Sequence, residues 1–174
     1  LAALPSLSLR RTRKGALLVT LLGPEAEPVR ALTAHVDTLG AMVKSIKPSG
    51  RLALTAIGGF AWNSVEGEGC TVFTQTGGTV RGSLLPNHAS VHVYTDVKDA
   101  KRDAENMEVR LDARTASAEE TRGLGIEVGD FVAFDPRVER TNGFVRSRHL
   151  DDKACAAVLV AALQALQTAG LQPA

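Results

Sequence analysis

Two places in the chain hold residue types that could do chemistry. His35-Val-Asp37 ends one apolar run, and Asp151-Asp152 immediately precedes a stretch rich in Ala and Leu. A histidine at the carboxyl end of a strand sits where open α/β sheets gather their ligands. One ring nitrogen can bind a metal while a nearby aspartate fixes the ring's geometry. Adjacent carboxylates repel, so Asp151 and Asp152 need an offsetting charge from a helix dipole, a basic neighbour or a divalent cation. In the last case the first Asp could bridge two metal ions with its two oxygens. Plainer readings stand beside these. H-x-D also fits a surface turn. Asp is a favoured helix N-cap, and Arg148, His149 and Lys153 around the pair would equally make a surface ion cluster.

The remaining candidates carry less. His88 and His92 would share one face of a helix, as a metal site requires. Val91-His-Val-Tyr94 alternates like a strand, however, and that would undo the geometry. The two histidines therefore read as the polar tip of a β-domain. Cys70 and Cys155 lack Cys-x-x-Cys spacing and read as core or helix-face thiols. Gly58-Gly59, Gly77-Gly78 and Gly67-Glu-Gly69 are turn glycines without phosphate-cradle spacing.

The elements that must position these residues follow from apolar runs and turn signals. Gly15 to Gly23 reads as a buried strand, and Pro24 to Pro28 as a turn. Val29 to Ala34 reads as a second apolar strand, ending at His35; continuous apolar strands suit an α/β sheet covered on both faces. From Ala41 the texture changes. Met42–Ile46 and Leu52–Ile57 flank the turn Pro48-Ser-Gly50. Cys70–Gln75 and Thr79–Leu85 flank Thr76-Gly-Gly78, a hairpin signature. Met107–Asp112, Gly129–Phe134 and Phe144-Val145 are further strands. Ser117-Ala-Glu-Glu120 resembles a capping box and starts one short helix. Short strands between glycine turns describe a compact β-barrel or sandwich. Lys153 to Ala169 is helical in its spacing, with Gly170 as a stop. The expected domains are 1–40 and 147–174, two fragments of an α/β domain, interrupted by a small β-barrel over 41–146.

Composition narrows the class. The 174 residues are 44% hydrophobic and 22% charged, which excludes simple disorder, collagen and a disulfide scaffold. Lys plus Arg number 20 against 19 Asp plus Glu, so the net charge of +1 does not favour nucleic acid or an anionic membrane as partner. No run approaches the roughly 18 apolar residues of a membrane span. Only 2 cysteines fit a reducing, cytoplasmic setting. The chain starts at Leu1 without Met or a basic leader, so its front is expected to be missing.

The order of the motifs adds a resemblance. Thr33-Ala-His-Val-Asp-Thr-Leu-Gly-Ala-Met-Val43, Ile57-Gly-Gly59, Gly82-Ser-Leu-Leu-Pro-Asn-His88, Leu124-Gly-Ile-Glu-Val-Gly-Asp130 and His149-Leu-Asp-Asp-Lys153 follow one another. From about Thr12 onward the chain resembles the dinuclear-metal aminopeptidases of the glutamyl aminopeptidase and tetrahedral aminopeptidase type, metallopeptidase family forty-two. The resemblance implies an α/β catalytic domain interrupted by a PDZ-like β-barrel that helps build oligomers, from dimers to dodecamers. It implies His35 as ligand to one metal, Asp37 as the residue that orients it, Asp151 as the carboxylate bridging both metals, and Asp152 as its partner across a commonly cis peptide bond. Two divalent ions, Zn²⁺ or Co²⁺, would activate a water for attack on a peptide's N-terminal residue. His88 or His92 would be the barrel's possible contribution to a neighbouring subunit's site. Thr38 stands where many relatives carry Glu, which bears on substrate preference. The family's Glu-Glu pair, a later Asp and a final His have no counterpart here, so the 174 residues correspond to an N-terminal half expected to be inactive by itself. The alternatives are a non-catalytic β-barrel assembly module and a glycan hydrolase.

Overall fold

A computed structural model describes residues 7–21 and 30–171. The chain divides into two units, one made of Leu1–Asp37 with Leu150–Ala174 and the other of Thr38–His149. In the first unit, β1 (Leu7–Arg11) pairs antiparallel with β2 (Leu17–Leu21), and Leu9 lies opposite Val19. The expected strand after Gly15 is therefore present but not buried: Leu17 and Leu18 are exposed. Its turn is closed by Thr12, whose Oγ1 accepts from the Ala16 N–H at 3.1 Å. Leu22, Gly23, the expected turn over Pro24–Pro28 and Val29 lie outside the described residues. The expected strand ending at His35 does not form over residues 30–34. A strand holds its shape by exchanging hydrogen bonds with neighbours, and no described strand pairs with this segment, which leaves Leu32 80% exposed.

The second unit is a closed barrel. Its strands are β3 (Gly40–Ile46), β4 (Leu52–Ile57), β5 (Gly69–Phe73), β6 (Thr79–Pro86), β7 (Met107–Leu111) and β8 (Phe131–Phe134). They close in the order β3-β4-β7-β6-β5-β8. Alternation decides what fills it: Leu52, Leu54, Cys70, Val72, Val109 and Val132 point inward and are buried. Ala53, Thr55, Thr71 and Phe131 alternate outward on the same strands. A barrel this small is packed by its own side chains rather than left hollow. Gly82 belongs to the packing, because a Cβ there would meet the Arg110 carbonyl oxygen at 2.7 Å and Val109 Cγ1 at 2.8 Å.

Polar links fasten the connections to the barrel. The β3–β4 turn needs Gly50 at φ +80°, and the space a side chain would take is filled by Thr121 Oγ1 and the Ser117 carbonyl. Buried Thr121 donates to the Gly50 carbonyl oxygen at 2.8 Å, which docks α1 (Ala118–Gly123) on that turn. The helix starts with the expected capping box between Ser117 and Glu120. Buried Asp130 accepts from the main-chain N–H of Gln75 and of Glu127. Buried Glu108 is paired with Lys47 and Arg51. Glu68, also buried, receives Arg137 and Arg148, and so ties residues 136–149 to the barrel unit. A hairpin interrupts that segment. Its strands are β9 (Glu139–Thr141) and β10 (Phe144–Arg146). Asn142 and Gly143 both adopt positive φ, the two-residue turn that an Asn-Gly pair favours.

The chain re-enters the first unit at Leu150 and forms α2 (Lys153–Thr168), the expected helix. None of its residues is buried. Among the described residues no helix is long and apolar enough to cross a membrane.

Two outcomes follow from the barrel. Gly82→Ala must push β6 away from β7 and is expected to lower stability by about 1–3 kcal/mol, measured by urea unfolding. The Arg81 fork on Asp135 holds that carboxyl below its ordinary 3.8. A lowered folded value gives stability that is complete above the ordinary value and lost as pH falls through the folded one. Asp135→Asn should therefore lower the melting temperature at pH 7, and its own melting point should decline less than the parent's between pH 5 and pH 2.

Candidate functional site

The first unit brings His35, Asp37, Asp151 and Asp152 together. His35 lies in the irregular segment after residue 30, and Asp151 stands just before α2. The His35 ring is held at both nitrogens. Its Nδ1 is 3.1 Å from Asp37 Oδ1, and its Nε2 is 3.2 Å from Asp151 Oδ1. A neutral imidazole has one N–H and one lone pair. With the proton on Nδ1 and donated to Asp37, the Nε2 lone pair faces a carboxylate oxygen. Two acceptors at that distance repel unless a proton or a cation lies between them. All three groups are open to solvent, with His35 52% exposed, Asp37 87% and Asp151 94%, so an ion has access.

Asp152 does not act as a side-chain helix cap, although it occupies the N-cap position of α2. Instead its Oδ2 accepts the His35 main-chain N–H at 3.3 Å. The Cys155 thiol donates to the same carboxylate, and this is the main reason Asp152 sits below its ordinary value of 3.8; the His35 N–H and ring charge add to it. The carboxylate in turn raises the Cys155 thiol. The Asp151–Asp152 peptide bond is cis. Of the basic residues flanking the pair, Arg148 is engaged by Glu68 and the Ser64 carbonyl, and His149 lies near the Phe134 carbonyl.

Sequence reasoning missed Cys155 as a member of this group. The signal was its spacing, three residues beyond Asp152 on the same helix. Cys70, by contrast, is a core thiol, and burial pushes it up to about 12. His88 and His92 belong to the barrel unit. The strand expected over Val91–Tyr94 does not form; the segment is a series of turns, with Val91 and Val93 exposed. Alternation there has no inner face to serve. The His88 ring stacks on Tyr94 at 4.1 Å and its Nδ1 lies 3.2 Å from Asp96. Among the described residues no group of three or more His, Cys, Asp or Glu is arranged to hold a metal ion.

Comparison with known proteins places the chain. The sequence profile of the M42 glutamyl aminopeptidases matches residues 15–173, so the chain belongs to that family. YhfE of Bacillus subtilis (strain 168), an aminopeptidase by name, is 52% identical over 163 residues, covering 93% of this chain and 47% of YhfE. The TET1 peptidase of Pyrococcus horikoshii, described as assembling into a tetrahedron or a large octahedral shell, superposes with a TM-score of 0.75 at 25% identity, over 93% of this chain and 47% of that one. A TET aminopeptidase from the marine sediment archaeon Thaumarchaeota archaeon SCGC AB-539-E09 shares the fold, with a TM-score of 0.80 at 24% identity over 95% of this chain and 46% of its own. The chain spans about half the length, or less, of the curated relatives it matches.

The Cys155–Asp152 contact has a chemical readout. Asp152→Ala removes the carboxylate that raises the thiol, so more thiolate is present at a given pH. Iodoacetamide labelling of Cys155 at pH 8 is expected to quicken by a few fold, while Cys70 stays protected until the barrel unfolds.

Proposed function

We propose that the protein is a metal-dependent aminopeptidase, and that His35 and Asp151 are donors to a pair of divalent cations. The observation that carries this is the His35 ring lying between Asp37 and Asp151, residues separated in sequence by the whole barrel. The donor set fits the group. His35 Nε2 and Asp151 Oδ1 lie 3.2 Å apart, close enough for one cation to be shared by both. An imidazole with a carboxylate suits Zn²⁺ or Co²⁺. Such cations, when bound, polarise a scissile carbonyl and make water acidic enough to attack it.

The chain's own residues have distinct tasks in this reading. Asp37 accepts the hydrogen bond from Nδ1–H, fixes the ring and leaves the Nε2 lone pair free to bind. Asp151 would supply its carboxylate as a further donor. Asp152 holds the His35 main chain. The further donors and the base that takes the water's proton are not among the described residues around His35, so the 174-residue polypeptide alone is proposed to be inactive. Peptides with a free N-terminus are the proposed substrates, and the two stretches of the first unit are proposed as parts of an α/β catalytic domain. The barrel, PDZ-like in this proposal, serves self-association, as in the assemblies named for the relatives. His88 or His92 would be its contribution to a neighbour's site, and the cytoplasm is the proposed location. Glycan hydrolysis commonly needs two carboxylates across a sugar, whereas here the carboxylates flank an imidazole.

The test uses the full-length protein. His35→Ala and Asp151→Asn should each abolish cleavage of an aminoacyl reporter and remove zinc uptake in calorimetry. Asp37→Asn should weaken metal affinity by about 10–100-fold. Unchanged zinc stoichiometry and turnover in His35→Ala would overturn the proposal.

A further inference from the structure

We propose that the outer face of the barrel carries a separate binding site for a carboxylate-bearing peptide, built on Arg110 and Arg114. Both arginines line one cleft of about 600 Å³, whose other walls include Ser83, Leu85, Leu111 and Asp112. Every residue of that cleft belongs to the barrel unit.

Charge pairing is what singles it out. Six arginines of this unit, Arg51, Arg81, Arg102, Arg137, Arg146 and Arg148, each meet a carboxylate. Arg110 and Arg114 meet none within ion-pair distance among the described residues, and neither do Arg122 and Arg140, which do not line the cleft. Asp112 shares the cleft without pairing to either, so the local balance stays positive. The register explains the convergence. Ser83 on β6 lies directly opposite Arg110 on β7, both on the outward face, and Arg114 follows in the connection to α1. Two guanidinium forks beside a hydroxyl match a carboxylate, which each fork can grip through two parallel N–H donors. Leu85, partly exposed on the same outer face, adds apolar wall, from which inorganic phosphate gains nothing and the hydrocarbon part of a peptide gains contact area.

The site is open to water, so binding is weak and falls with salt. Calorimetry or fluorescence anisotropy at low salt can follow acetyl-Leu-Glu-Glu amide against acetyl-Leu-Gln-Gln amide and inorganic phosphate. The acetyl group blocks any aminopeptidase action, so the result is independent of the proposed activity. The acidic peptide should bind, and the glutamine peptide and phosphate should bind about five- to tenfold more weakly or not at all. Arg110→Gln with Arg114→Gln should cost the same factor, while Arg122→Gln changes nothing. If the double variant loses melting temperature, Arg110→Lys with Arg114→Lys keeps the charge but not the fork, and it should still weaken binding. Failure of the acidic peptide to bind overturns the proposal. Equal binding of the glutamine peptide or of phosphate, or an equal loss in Arg122→Gln, overturns it too.

Discussion

An imidazole held between two carboxylates is the constraint around which this chain is arranged. The ring of His35 has Asp37 on one nitrogen and Asp151 on the other. Asp37 comes almost free, since it is two residues away. Asp151 does not: the chain leaves the first unit after Asp37 and returns to it at Leu150, with the barrel unit in between. Ordering such a pair carries a large loop-closure entropy unless the intervening segment is itself folded. A closed barrel removes that cost by being compact on its own account, with its own core of Leu52, Leu54, Val72 and Val109.

The exit of the barrel matters for the same reason. Residues 136–149 are held by Glu68, which is buried and takes both Arg137 and Arg148. Removing one partner from a buried charge is costly, so this segment has one strongly preferred course along the barrel unit. Arg148 donates further, to the Ser64 carbonyl, and its main-chain N–H to the Pro136 carbonyl.

The acidic pair shows how a local signal can have two meanings. Two aspartates before a helix suggest a cap. In the structure Asp152 occupies the cap position and ignores the helix, giving its oxygen to the His35 N–H and to the Cys155 thiol. Its role is to fasten a segment that has no strand partner among the described residues. That is why His35 can be well placed even though residues 30–39 lack regular structure.

Much of the barrel was legible from the sequence, because period-two alternation and glycine turns are local. The hairpin over Cys70–Leu85, the capping box at Ser117 and the helix after Asp152 are all written within a few residues of themselves. Burial in the first unit was not legible. Leu17, Leu18 and Leu32 look like core residues, but whether a core forms around them depends on what else packs there. The turn segment at Val91–Tyr94 was misjudged because a short alternating pattern is ambiguous until neighbours choose between its readings. The types at the site were set by the sequence, as His-x-Asp and Asp-Asp. That Nε2 of one faces Oδ1 of the other, and that Arg110 and Arg114 share one cleft, was decided by tertiary structure alone. Distances between residues far apart in the chain depend on how the barrel closes, and no local spacing encodes that.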